Sequence, residues 1–127
     1  MENQITEEKG GDRMTASASL NAALQEEVKS RKTEIEEGLT HYPEIPSYMH
    51  SDIIRYVVDR RLSGHFLTAI VENNLQKAFA HGDSANIKAL HSWVRLMYNW
   101  APAKCWGREE VVTEWIEGKD IVTEDHP

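Results

Sequence analysis

The turn from Arg60 to His65 is the first stretch whose residue types could do chemistry, because two arginines there precede Gly64 and a histidine. Guanidinium groups bind carboxylates and phosphates through paired hydrogen bonds, and the free N–H groups at a helix start attract anions. Arg55 lies about one and a half turns earlier on the same predicted helix. The turn, with Arg60 and Arg61 expected on the surface, is therefore a candidate site for a small anionic ligand or an acidic partner. Alternatively, the arginines only complement the dipole of a helix C-terminus.

A second candidate is the aromatic loop from Trp100 to Trp106, which also contains Lys104. Tryptophan is a frequent anchor in protein interfaces and stacks on nucleic-acid bases. Its large ring can equally well close a small hydrophobic core. The sequence leaves open whether this loop is a binding surface or a part of the core.

Cys105 is the only cysteine, and no sequence signature of a catalytic cysteine surrounds it. A buried structural thiol is the simpler interpretation. The histidines form no HxH or zinc-protease pattern, and no CxxC occurs. We find no paired carboxylates, catalytic triad order or glycine-rich phosphate loop. The sequence therefore predicts a protein that is not an enzyme and that has no cofactor and no metal site.

Charge is unevenly distributed along the 127 residues, whose net charge is −7. Residues 1–44 carry ten acids and five bases, residues 45–107 carry four acids and seven bases, and residues 108–127 carry seven acids and two bases. Overall acidity makes nucleic acid an unlikely partner, but the basic centre suits an anion. No apolar run is long enough for a membrane span, and no signal peptide is visible. A reducing cytoplasm is the expected location.

Apolar residues recur at helical spacing along most of the chain, which predicts an all-α fold. We expect a disordered tail over 1–15, an N-terminal amphipathic helix over 16–40, a helical core domain over 41–118 and a polar tail over 119–127. Met14 is a candidate translation start. The core domain is predicted to contain about four helices, over 46–62, 65–80, 83–101 and 109–117. Gly38 is expected to follow the end of the first helix, and Gly82 to have a positive φ. Asp83 or Ser84 is expected to cap the helix that follows Gly82.

The predicted N-terminal helix has a narrow apolar stripe, formed by Leu20, Leu24, Val28 and Ile35 and interrupted by Arg31. Such a helix is marginal alone, so it packs either on its own domain or on a second copy of the chain. We expect a homo-oligomer. The predicted core residues of the other helices are Phe66, Ile70, Phe79, Leu90, Trp93, Val94, Met97, Tyr98 and Trp115.

Several elements resemble a group of small proteins of tailed phages and prophages over residues 45–116. The most specific element is Tyr98-Asn-x-Ala-Pro-x-x-Cys-Trp-Gly107. Further matching positions are Ile45 to Met49, Arg55-Tyr56, Gly64 to Ile70, Asn73 to Leu75, Ala78, Asn86 and Trp115. The resemblance implies a phage origin and an accessory role in infected bacteria, but no activity.

The leading hypothesis is a non-enzymatic phage accessory protein in the host cytoplasm that binds, and so inhibits or sequesters, a host defence or regulatory protein or a nucleotide-like ligand. One alternative is a structural or assembly protein of the virion, and another is a small enzyme that uses Cys105. The residues expected to bind are Arg55, Arg60, Arg61, His65, Trp100, Lys104 and Trp106.

Overall fold

The computed structural model describes the backbone of residues 9–120 and the side chains of residues 19–120. Over this range the chain forms helices and no β-strand, which confirms the predicted all-α class. The α-helices are α1 (Lys9–Thr40), α2 (His50–Asp59), α3 (His65–Val71), α4 (Leu75–His81), α5 (Ser84–Lys88), α6 (Leu90–Trp100) and α7 (Glu109–Ile116). Short 3₁₀ helices occupy Ser47–Met49 and Ala103–Cys105. None of the helices in this range has the length and apolarity needed to cross a lipid bilayer.

The chain divides into two compact units, Met1–Ser30 and Arg31–Pro127. The boundary lies inside α1, not after residue 40 as predicted, because Ile35 and Leu39 are buried core residues of the second unit. α1 also begins at Lys9, within the expected tail, whereas residues 1–8 and 121–127 lie outside the described part of the chain. In the first unit, the side chains of Leu20 and Val28 are exposed.

The sequence predicts that Gly38 follows the end of α1, but in the structure Gly38 lies within this helix. A Cβ atom at this position would be 2.5 Å from Cγ of Trp100, so the glycine makes room for the indole ring. Gly82 likewise differs from the prediction, since its φ is −77°. There a Cβ atom would approach the ring of Phe66 to 2.8 Å, so close packing and not a left-handed backbone requires this glycine.

Two of the predicted helices are each split into two shorter ones. The helix expected over 65–80 breaks at Asn73, which has a φ of 59°, and the side chain of Asn74 then caps α4 by accepting a hydrogen bond from N–H of Lys77 at 3.1 Å. Asparagine tolerates the left-handed conformation better than most residues. The helix expected over 83–101 breaks at Ala89, although Asp83 caps its start as predicted, accepting a hydrogen bond from N–H of Asn86 at 2.8 Å.

The hydrophobic core of the second unit is centred on three large side chains, Tyr56, Trp93 and Trp115, which are fully buried. Trp93 packs edge-on against Phe66 with 5.8 Å between the ring centres, and its Nε1 donates to the side-chain oxygen of Asn86 at 3.1 Å. The predictions for Phe66, Ile70, Trp93, Met97 and Trp115 are therefore confirmed, and Leu90 is half-buried against this core.

Three residues predicted to be in the core are exposed instead: Phe79, Val94 and Tyr98. The error on α6 has a geometric cause. Residues 90, 94 and 98 have helical spacing, but so do Trp93, Leu96 and Met97. The face with Trp93, which has the larger side chains, is the one that packs in the core. α6 consequently presents apolar side chains on a second face.

Candidate functional site

Arg60 holds the end of the described chain and is not a free surface cation. Its guanidinium donates to both carboxylate oxygens of Asp120, at 2.5 and 3.0 Å, and to the backbone oxygen of Trp115 at 2.9 Å. The same group lies 3.7 Å from the centre of the Trp115 ring. The hydrogen bond from Arg60 is the main cause that lowers the pKa of Asp120. The expectation that Arg60 lies on the surface is thus wrong, because its charge is neutralised within the fold.

The other members of the predicted anion site do not converge on one point. Arg55 is 3.7 Å from Asp52, one turn earlier on α2, and Arg61 is exposed. His65 begins α3, and its ring lies 5.0 Å from that of His81 at the end of α4. The turn therefore presents its charged groups in several directions, and the structure shows no shared cradle for them among the described residues.

The aromatic loop is attached to the core through its backbone. Tyr56 donates its hydroxyl to the backbone oxygen of Cys105 at 2.5 Å, and N–H of Gly107 donates to the backbone oxygen of Val71 at 2.8 Å. Trp100 and Trp106 are both half-buried against the core. Trp100 also stacks on His41, with 4.9 Å between the ring centres. These contacts favour the structural interpretation of the two tryptophans.

The polar side chains of the loop are also engaged. Nζ of Lys104 lies 3.6 Å from Asp120, so this lysine shares the carboxylate that Arg60 binds. The Cys105 thiol is buried, and burial raises its pKa to about 12. A thiol with such a pKa is protonated at neutral pH and is a poor nucleophile.

An apolar groove lies between α3, α4 and α6, outside these predicted sites. It is open to the surface and has a volume of about 240 Å³. Asn73, Asn74 and His91 supply its polar lining. Its apolar lining consists of Ala69, Ile70, Leu75, Ala78, Leu90 and Val94.

Two residues that line the groove, Leu75 and Val94, are exposed, and each is followed four positions later on its helix by another large exposed apolar residue. The exposed fraction is 70% for Leu75 and 66% for Phe79 on α4, and 48% for Val94 and 78% for Tyr98 on α6. On each helix the two residues are four positions apart and so share one side. Exposed apolar patches of this kind are typical of binding surfaces. The sequence does not reveal this surface, because the helical spacing of Phe79, Val94 and Tyr98 predicts core positions for them.

A second cavity, which we call the histidine cleft, has a mixed polar and apolar lining and a volume of about 310 Å³. Its lining includes Tyr48, Asp52, His65, His81 and Asp83. The Tyr48 hydroxyl donates a hydrogen bond to the Asp83 carboxylate. This hydrogen bond is the main reason why the pKa of Asp83 is lowered and that of Tyr48 raised. The spacing of 16 residues between the histidines gave no signal of their proximity, because it depends on how α3 and α4 pair.

Comparison of the chain with protein families, with curated proteins and with solved structures finds no match. The function of the chain is therefore inferred from its residues and from their arrangement.

Proposed function

We propose that this chain is a non-enzymatic binding protein whose apolar groove docks an amphipathic helix of a partner protein. The observation that carries the proposal is the apolar lining of the groove, which includes the exposed Leu75 and Val94. Phe79 and Tyr98 are exposed one turn further along the same two helices. A groove between two helices is suited to a third helix that inserts apolar anchors at i, i+4 and i+7. In the setting implied by the phage resemblance, the partner is a host protein that is inhibited or sequestered.

The excess of bases in the segment that contains α4 and α6 favours a partner helix with acidic flanks, although Glu44 interacts electrostatically with His91 and Arg95. Residues 73–98, which form both walls, contain three bases and one acid in a chain whose net charge is −7. The three bases are Lys77, Lys88 and Arg95, and all are exposed. The single acid, Asp83, is occupied by its hydrogen bonds to Tyr48 and to N–H of Asn86. Complementary charge at the rim increases the association rate and selects the partner.

A non-enzymatic role is supported by the state of the one reactive side chain that the sequence singled out. Cys105 is buried, has a raised pKa and lies in a loop fixed by two backbone hydrogen bonds. A substrate would have to displace core residues to reach the thiol.

The test uses a fluorescent helical peptide with leucines at i, i+4 and i+7 and glutamates on its other face. We expect saturable binding in fluorescence anisotropy, and at least about tenfold weaker binding by Val94→Asp or Leu75→Asp, because each replaces a buried apolar contact with a charge. Ile116→Asp is the matched control, since Ile116 is an exposed apolar residue of α7 away from the groove. Equal binding by all variants would refute the proposal.

The charge preference has its own control. A peptide with lysines in place of the glutamates should bind more weakly, and the difference should diminish as salt is added. A host protein captured from bacterial lysate supports the proposal only if wild type retains it and Val94→Asp loses it.

An assembly protein of the virion is the second candidate function. It is favoured by the exposed Leu20 and Val28 of α1, which provide an apolar stripe for contacts between copies. Mass spectrometry of purified phage particles distinguishes the two functions, because an assembly protein that stays in the particle is present there in many copies.

A further inference from the structure

We propose that His65 and His81 form a binding site for one divalent transition-metal ion, with Zn²⁺ as the physiological candidate. The proposal rests on the juxtaposition of two exposed imidazoles whose ring centres are 5.0 Å apart and whose planes are inclined by 30°. Imidazole nitrogen is a preferred ligand of Zn²⁺, Cu²⁺ and Ni²⁺, whereas Mg²⁺ and Ca²⁺ prefer oxygen.

The separation of the rings fits a shared ion. Two imidazoles bound to one zinc ion, with Zn–N distances of about 2.0–2.1 Å and a near-tetrahedral angle, have their ring centres about 5 Å apart. The observed distance between the ring centres, 5.0 Å, agrees with this value.

The backbone also holds the two histidines in place. His65 is the first residue of α3 and His81 is the last residue of α4, so both lie on helices and not in a loop. Gly82, directly after His81, packs closely against Phe66, the residue after His65. Ligands on such packed elements are better preorganised for an ion than ligands on loops.

The electrostatics of the histidine cleft favour a cation. Asp83, which follows His81 by two residues, lines this cleft. Asp52 lines the same cleft and also pairs with Arg55 at 3.7 Å. Within residues 19–120, no three side chains of His, Cys, Asp or Glu are grouped closely enough to hold a metal ion. The proposed site therefore supplies two protein ligands, and water or a donor from a partner molecule has to fill the other positions of a tetrahedral ion.

Calorimetric titration of the full chain with Zn²⁺, and separately with Ni²⁺, tests the site. We expect one saturable site per chain and at least about tenfold weaker binding in both His65→Asn and His81→Asn. His91→Asn is the matched control, because His91 is exposed on α6 but lines the other cavity, the apolar groove. Absence of saturable binding, or equal binding by the His65 variant and wild type, would overturn the proposal.

A measurement on the wild-type protein keeps the test valid if a variant misfolds. Diethyl pyrocarbonate modifies accessible imidazoles, and mass spectrometry identifies the modified residues. Zn²⁺ should protect His65 and His81 together while His91 continues to react. Protection of neither, or of all three to the same degree, would show that the pair is not a metal site.

Discussion

Arg60 adopts a left-handed backbone conformation, with a φ of 61°, at the end of α2. Most residues other than glycine avoid this region, so the contacts of the guanidinium must offset the cost. N–H of Arg60 also donates to the backbone oxygen of Tyr56 at 3.0 Å, which closes the helix. The side chain then joins α2 to the last turn of α7 through Trp115 and Asp120.

Replacement of Arg60 separates the cost of its backbone conformation from the stabilisation by its side-chain contacts. Arg60→Ala should lower the free energy of unfolding by about 2–4 kcal/mol, because it removes charge-assisted hydrogen bonds and a cation–π contact. Arg60→Gly should be about 1 kcal/mol less harmful, because glycine accepts the positive φ. Arg61→Ala, at an exposed neighbour, should change stability by less than about 0.5 kcal/mol. Urea denaturation measures all three, and equal stability of Arg60→Ala and wild type would contradict the assignment.

The ion pair of Arg60 with Asp120 should make stability depend on acid. The pKa of Asp120 is lower in the folded chain, chiefly because Arg60 donates to it. The pair therefore contributes its full stability above the ordinary aspartate pKa of about 3.9 and loses it as the pH falls through the lowered value. Asp120→Asn should remove this part of the acid dependence, and Arg60→Ala should make the substitution at 120 almost neutral. Parallel pH profiles for wild type and Asp120→Asn would contradict the prediction.

Cys105 provides a direct test of the enzyme hypothesis. Since the thiol is buried and its pKa is raised to about 12, it should react with a disulfide reagent only when the chain opens. The expected result is slow labelling of the native protein at about pH 8, with a rate that rises as denaturant is added. Protein unfolded in concentrated guanidinium chloride is the control for full reactivity. Rapid stoichiometric labelling under native conditions would restore Cys105 as a candidate nucleophile.

At the scale of elements, α1 and α6 meet where Trp100 lies on Gly38. Gly38→Ala improves helix propensity by about 1 kcal/mol, but the added methyl group would overlap the indole ring. Overpacking costs about 1–3 kcal/mol, so we expect net destabilisation or no gain. In a Trp100→Ala background the same change should become stabilising. Thermal denaturation of the four proteins of this double-mutant cycle measures the coupling, and additive effects would show that the close approach has no energetic weight.

How much of the fold can be predicted differs between types of element. Helix class and the cap at Asp83 follow from local spacing and side-chain chemistry, and both agree with the structure. The break at Ala89 has no local signal, since alanine is the best helix former and tertiary packing decides the outcome. The break at Asn73 does have one, because asparagine tolerates a positive φ and is a favoured helix cap.

The candidate site could be predicted only in part, because tertiary packing also decides which side chains are exposed. α6 has two apolar faces, and periodicity alone cannot tell which one a core covers. The prediction placed the face with Val94 and Tyr98 in the core, and therefore did not identify the apolar groove. Likewise, the turn that contains Arg60 has the residue types of an anion site. The carboxylate that Arg60 binds belongs to Asp120, which is 60 residues away in the sequence. Long-range pairing of this kind leaves no local pattern.

For the whole molecule, the exposed stripe on α1 still predicts self-association. Leu20 and Val28 are exposed, Leu24 is half-buried, and the three are spaced at four residues along one side of the helix. Most of the stability of a helix in a protein comes from the packing of its apolar face, and a second copy can cover this stripe as in a coiled coil. We therefore expect a homo-oligomer at micromolar concentration, in which Leu24→Glu lowers the mass measured by light scattering. Gln25→Glu is the matched control, because it adds the same charge at an exposed neighbouring position. A monomeric wild-type chain, or equal masses for both variants, would remove the stripe as the contact between copies and with it the observation that favours the assembly function.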